Sequence, residues 1–192
     1  MHLTNIKFIK EYLNRETTAI LVNSLVLTRM DYCNSLLIGT PQSGLHKLQM
    51  VLHRAERIVC GVMFREHITE LLITLHWLQV VARIKFKICL VTHKTLKYGR
   101  PEYLLKFLVS SETDSVMETR HDSDKHHLET QRTSLVQAKR AFSYVAPRFY
   151  NELPTAIKEV PSIHRFKKLL KSHFFLDCYD TQNKSLNPEY TV

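Results

Sequence analysis

The chain has 192 residues, 44% of them hydrophobic and 23% charged, with a formal net charge of +9. That length admits one domain or two small ones with a real core, and the proportions are those of a globular protein rather than a disordered or fibrous one. The positive excess favours a polyanion, with nucleic acid the usual partner; the plainer alternative is a solvated basic surface with no particular partner.

Glycine occurs only four times, at Gly39, Gly44, Gly61 and Gly99. Hairpins and phosphate-cradling loops rely on glycine, so its scarcity beside abundant Leu, Ile and Lys points to an all-α fold. Residues 2–13 form a first short helix. Thr17 or Thr18 caps a second that runs to about Ile38, where Gly39-Thr40-Pro41 breaks the chain. A third starts near Ser43. Its Leu45, Leu48, Leu52, Ala55 and Val59 recur every three or four residues and make one apolar face, and Gly61 ends it as a left-handed cap.

Thr69 caps a short helix to Leu75. A longer helix spans Val80 to Tyr98, stopped by Gly99, and Pro101 opens a short one to about Leu108. Residues 109–135 are polar and without period. Two short helical pieces follow between Ala141 and Leu153, punctuated by Pro147 and Pro154. Ser162 caps a final amphipathic helix to about Asp177. The expected organisation is an N-terminal helical bundle over 1–108, a flexible linker over 109–135, a basic helical segment over 136–178 and a disordered tail over 179–192.

Charge follows the same division. Residues 80–106 carry seven basic and one acidic side chain, 131–173 nine and two, and the intervening 107–130 two and six. At about 100° per residue, Arg83, Lys87, Lys94 and Lys97 line one stripe of the helix from Val80, opposite Ile84 and Ile88. His164, Lys168 and Lys171 line a stripe of the last helix, opposite Phe166, Leu170 and Phe174. Stripes of one sign can track a phosphate backbone and release its counterions. The competing explanation is that every surface helix has a charged face.

No catalytic or metal constellation emerges. GxxxxGK[ST], GxGxxG and HExxH patterns are all missing from the sequence. His121, His126 and His127 cluster without a cysteine nearby, and Asp122-Ser123-Asp124 lies in the polar stretch, where the rigidity that two-metal chemistry demands is lacking. Cys33, Cys60, Cys89 and Cys178 are too far apart for zinc spacing, and three of them sit among apolar residues. Together with the lack of a signal peptide, this predicts a reducing, intracellular setting, cytoplasmic or nuclear. The longest apolar run, Ala19 to Leu27, is interrupted by Asn23 and Ser24 and is too short to span a bilayer. No cofactor is expected.

Several blocks occur in a fixed order: Leu27-Thr28-Arg29-Met30-Asp31-Tyr32-Cys33-Asn34-Ser35-Leu36-Leu37; His67-Ile68-Thr69; Leu75-His76-Trp77-Leu78; Arg83-Ile84-Lys85-Phe86-Lys87-Ile88; Tyr103-Leu104; Arg140-Ala141-Phe142-Ser143; Ala146-Pro147; Asn151-Glu152-Leu153-Pro154; and Phe166-Lys167-Lys168-Leu169-Leu170-Lys171. The ordered set resembles the segment after the catalytic palm in reverse transcriptases of non-LTR (LINE-type) retrotransposons of the jockey-like and chicken-repeat-like groups, from about His2 to about Tyr179. The resemblance implies a helical thumb and the segment beyond it, gripping a template–primer duplex. It implies no catalytic residue, because the family's metal-binding Asp-Asp pair is nowhere in these residues. The expected protein is thus a truncated remnant of an RNA-directed DNA polymerase, without palm or endonuclease. It is at most a weak, non-specific binder of RNA or DNA backbone, and a partner chain supplying the palm is left open. The rival expectation is a host-used helical interaction module or an inert translated fragment.

Two departures from the family pattern stand out. Gln79 replaces the proline of Trp-Leu-Pro-Val, which is expected to let the flanking helices run together. Phe149-Tyr150 replaces Leu-Trp. Purified chain given primed RNA template, nucleotides and Mg²⁺ or Mn²⁺ should incorporate nothing. Metal-dependent extension abolished by mutating Asp122 and Asp124 would contradict this.

Overall fold

The computed structural model describes residues 2–62, 68–108, 127–131 and 133–179. The chain is all-helical, and no strand occurs among the described residues. It divides into two compact units, one within Met1–Ile84 and His173–Val192, the other within Lys85–Ser172. The division falls inside two helices and differs from the expected boundary near residue 108.

The first unit opens with α1 (His2–Ile9), continued by a 3₁₀ turn at Lys10–Tyr12. Helix α2 (Arg15–Val22) is capped by Asn14, whose side-chain oxygen accepts the Thr17 amide at 2.7 Å. Such a cap stabilises a helix by about 1 kcal/mol. Thr18, an expected cap, is instead fully buried and donates its hydroxyl to the Asn14 carbonyl. Nor does one helix run to Ile38. The backbone loosens into a π turn at Asn23–Leu27, tightens into α3 (Thr28–Asp31), and reverses at Cys33, which has φ +51°. A 3₁₀ turn at Asn34–Leu37 follows. The hydroxyls of Ser24 and Thr28 bond back to the carbonyls of Leu21 and Ser24 through this stretch, a pattern that bends helices.

Helix α4 (Gln42–Cys60) supplies the platform of the unit, packing against α1, α2 and α5 (Ile68–Leu75). Leu52, Ala55, Ile58 and Val59 are buried on one face. Gly61 ends the helix as expected: at φ +75° both its amide and that of Val62 reach the Arg57 carbonyl. The start of α5 was expected at a Thr69 cap; the helix already includes Ile68.

The substitution of Gln79 does not merge the helices. Helix α5 ends at Leu75 because His76 adopts φ +50°, the left-handed conformation usually left to glycine, and Trp77 donates its amide to the Leu72 carbonyl. Trp77 is buried, and its carbonyl accepts the Tyr179 hydroxyl at 2.8 Å. Helix α6 (Val80–Tyr98) then starts with the Val80 amide on the Gln49 side chain, and stops, as expected, at Gly99 with φ +64°.

The second unit holds α6 from Lys85, α7 (Glu102–Leu105), a 3₁₀ turn at Ala138–Arg140, α8 (Phe142–Asn151), α9 (Thr155–Lys158) and α10 (Ile163–Tyr179) up to Ser172. Its core is built around His93. The imidazole lies flat on Phe166, centroids 3.7 Å apart and planes 3° from parallel, and its Nδ1 meets the Tyr150 hydroxyl at 3.0 Å. Ile88, Cys89, Val145, Ala146, Leu153 and Leu170 are buried in the same unit. Helix α8 runs through Pro147 rather than breaking there; the ring is buried, and the helix gives up only the bond that a proline nitrogen cannot donate.

The expected linker is anchored at its far end. Leu128 is buried, its amide donating to the Asn151 side-chain oxygen at 2.9 Å and its carbonyl accepting from the Asn151 side-chain amide at 2.8 Å. Residues 109–126 and 132 of that expected linker and residues 180–192 of the expected tail lie outside the described residues, as do Asp122, Asp124, His121 and His126; Tyr179, expected to open the tail, instead ends α10 and is buried, held by its bond to Trp77.

One polar side chain sits uncompensated in the first unit. Glu56, on the core face of α4, is fully buried, and neither carboxyl oxygen has a hydrogen-bond partner among the described residues. Burial pushes its pKa up to about 8, against the downward pull of the Arg57 and Arg83 cations. The folded state therefore holds a proton that the unfolded chain releases near 4.5. Stability contributed by this proton is full below that value and declines as pH rises towards 8, by up to about 1.4 kcal/mol per pH unit. His53, held down near 4 mainly by burial, acts oppositely between about 4 and 6.5. The difference between Glu56→Gln and wild type isolates the glutamate. In denaturant titrations from pH 5 to 9, the variant should gain steadily on the wild type up to about pH 8 and be the more stable there. A difference independent of pH would show that Glu56 is ionised in the native state.

Candidate nucleic-acid interface

Helix α6 is buried around most of its circumference because both units draw on its apolar residues. Its exposed positions are Lys87, Lys94, Lys97 and Tyr98. Three of the four residues expected to form a cationic stripe therefore reach solvent on one narrow wedge. Lys87 and Lys94 lie about 10 Å apart along the axis, and Lys97 roughly 4.5 Å further. None of the three is in an ion pair with a described residue, and Lys97 lies over the Tyr98 ring at 5.8 Å.

Arg83 does not belong to this wedge. Its Nη1 donates to both oxygens of Asp31, at 3.2 and 2.9 Å, and its Nε donates to the Leu78 carbonyl at 2.8 Å. The side chain is only 13% exposed. Its backbone carbonyl accepts from the side chain of buried Asn34 at 3.4 Å. A guanidinium so engaged has few donors left for phosphate, and it sits in the first unit while Lys87, Lys94 and Lys97 sit in the second. The wheel aligned Arg83 with the lysines, but it could not see a carboxylate 52 residues away.

On α10, His164, Lys168 and Lys171 are exposed, while Phe166 and Leu170 on the opposite side are fully buried. Arg165 and Lys167 are exposed as well, so the basic face is wider than a single stripe. The helix carries no carboxylate before Asp177. Lys139 and Arg140, in the 3₁₀ turn before α8, add two exposed cations that periodicity did not single out. Their signal in the sequence was only adjacency. Two other cations serve the fold: Lys158 is buried and donates to the Asn151 carbonyl, and Lys85 lies over the Phe149 ring.

Among the described residues no three His, Cys, Asp or Glu side chains are placed to hold a metal ion, and no helix is long and apolar enough to cross a membrane. What the surface can do chemically is attract and hold polyanions. No protein-family model, curated protein or solved structure matches the chain.

Several of the ordered sequence blocks meet in the fold. The Asp31–Asn34 block bonds to Arg83, and Arg83 bonds to Leu78 of the tryptophan block. These contacts hold side chains together within the first unit. Asp31→Ala should therefore cost about 1.5–3 kcal/mol, as for a hydrogen bond to a charged partner left partly buried, read by urea denaturation. Arg83→Gln should be similarly destabilising. A loss below about 0.5 kcal/mol for both would mean that the pair is an ordinary surface bridge.

Proposed function

We propose that this chain is the post-palm segment of a non-LTR retrotransposon reverse transcriptase, a remnant that holds RNA or DNA backbones weakly and without sequence preference. The observation that carries the reading is the one-signed set of exposed cations on α6 and α10 of the second unit. It is supported by the ordered blocks quoted above and by the all-helical fold, which suits a thumb. Polymerisation is no part of the proposal, since the 192 residues contain no Asp-Asp pair. Affinity would come from counterion release, which reads charge and spacing but not bases.

A second reading is an interaction module whose partner is a protein. It is favoured by the aromatic and aliphatic side chains that the first unit leaves exposed, Phe8, Tyr12, Tyr32 and Leu36, each at least 74% exposed. Exposed apolar groups suit a protein partner more than a phosphate backbone.

With Arg83 set aside, roughly four phosphates neutralised by Lys87, Lys94, Lys97, His164, Lys168 and Lys171 give a slope of log K against log salt of about −3.6 on duplex and −2.8 on single strands. Lys87→Gln with Lys94→Gln should flatten the slope by about two and weaken all sequences alike. Arg83→Gln should leave it unchanged. Fluorescence anisotropy at several salt concentrations reads all three. Equal binding by wild type and the double variant, or no binding at low salt, would leave the interaction module as the better reading.

A further inference from the structure

The first unit contains a cavity of about 750 Å³ between α1 and the second half of α4. Lys7, Lys10, Arg54 and Arg57 converge on it, over apolar walls from Met50 and Ile58, and no carboxylate lines it among the described residues. We propose that this cavity binds a small organic phosphate, an anionic head carried on an apolar body. The site belongs to the first unit and does not depend on the role of the lysines of α6 and α10 in the second.

Unopposed like charges are the first argument. Lys7, Lys10 and Arg54 are in no ion pair with any described residue, so an anion seated among them meets their charge without competition from a paired carboxylate. Glu56, on the core face of α4, withholds its charge near neutral pH because burial raises its pKa to about 8. Part of the cluster has another use. Gly61 ends α4 so close to Lys10 that an added Cβ would lie 3.0 Å from its Nζ, and Arg57 is in the last turn, so both offset the negative end of the helix. Arg54 stands about two turns from that end and Lys7 on another helix, beyond the reach of the effect. These two have no structural task to explain them.

The second argument is size and lining. A volume in this range suits a ligand of several dozen atoms rather than a bare ion. Met50 is 42% exposed although apolar, whereas Ile58 beneath it is 6% exposed, which leaves an apolar wall for the body of the ligand. A nucleoside monophosphate and an alkyl phosphate share the required chemistry, and both are tested.

Calorimetric titration of the whole chain with AMP, octyl phosphate and inorganic phosphate reads the proposal. At least one organic phosphate should bind at least tenfold more tightly than inorganic phosphate, and whichever binds better identifies the source. Lys7→Gln with Arg54→Gln should weaken that binding tenfold or more, while Lys7→Arg with Arg54→Lys should retain it. Lys87→Gln with Lys94→Gln should leave it unchanged even if those lysines prove not to bind nucleic acid. Thermal unfolding of each variant checks the fold, and both substituted residues are exposed. The proposal fails if neither organic phosphate binds, if inorganic phosphate binds as well, or if the Gln pair binds like wild type. It also fails if a thymidine homopolymer displaces the organic phosphate in a Lys7- and Arg54-dependent manner, since the cavity would then belong to a backbone track.

Discussion

The arrangement of the first unit hangs on one guanidinium. Arg83 ties the turn at Asp31–Asn34 to the start of α6 through its side chain and its own carbonyl, and it fixes the end of the α5–α6 connection through the Leu78 carbonyl. Arg83 and Asn34 are largely withdrawn from water, and withdrawal without a partner costs more than the bond returns. The left-handed Cys33 is held in the same turn. A non-glycine residue in that conformation costs on the order of 1 kcal/mol, so the turn persists because Asp31 and Asn34 are secured on either side of it.

The second unit solves a similar problem with an aromatic stack. His93 is a polar ring buried between Tyr150 and Phe166, and it keeps its place by offering a face to one and a nitrogen to the other. The ring is drawn from the middle of α6, the hydroxyl from α8 and the phenyl from α10. Three helices are thus registered by one side chain, which is why the charged faces of α6 and α10 are both turned outward. Asn151 extends the device by taking both backbone groups of Leu128.

The bounds of α6, the left-handed glycines at 61 and 99 and the apolar face of α4 were all legible in the sequence, because each is decided within a turn or two of helix. The break after α2 was not. Residues 23–33 contain neither glycine nor proline, and the turn that closes the stretch is held at Asp31 by Arg83, 52 residues further on. Helix α5 ends at Leu75 as expected, but the expectation that Gln79 would let it run into α6 did not allow for His76, whose φ of +50° no local propensity announces. The unit boundary was sought in the acidic stretch, but charge reports exposure, whereas His93 and Phe166 decide which helices belong together. Among the candidate contacts, periodicity placed Lys87, Lys94, Lys97, His164, Lys168 and Lys171 on exposed faces. It also placed Arg83 with them, because a helical wheel cannot register a carboxylate outside its own helix.

The four thiols record this architecture in their reactivity. Cys33 is exposed on its turn, whereas Cys89 is fully enclosed and burial pushes its ionisation well up. Only the thiolate attacks an electrophile or an oxidant. Alkylation or peroxide therefore reaches Cys33 in the native chain, and reaches Cys89 only in molecules whose second unit has opened. The ratio of the two modification rates is a measure of how often the His93 stack comes apart, and it makes an oxidised Cys89 the chemical trace of a molecule that has lost its fold.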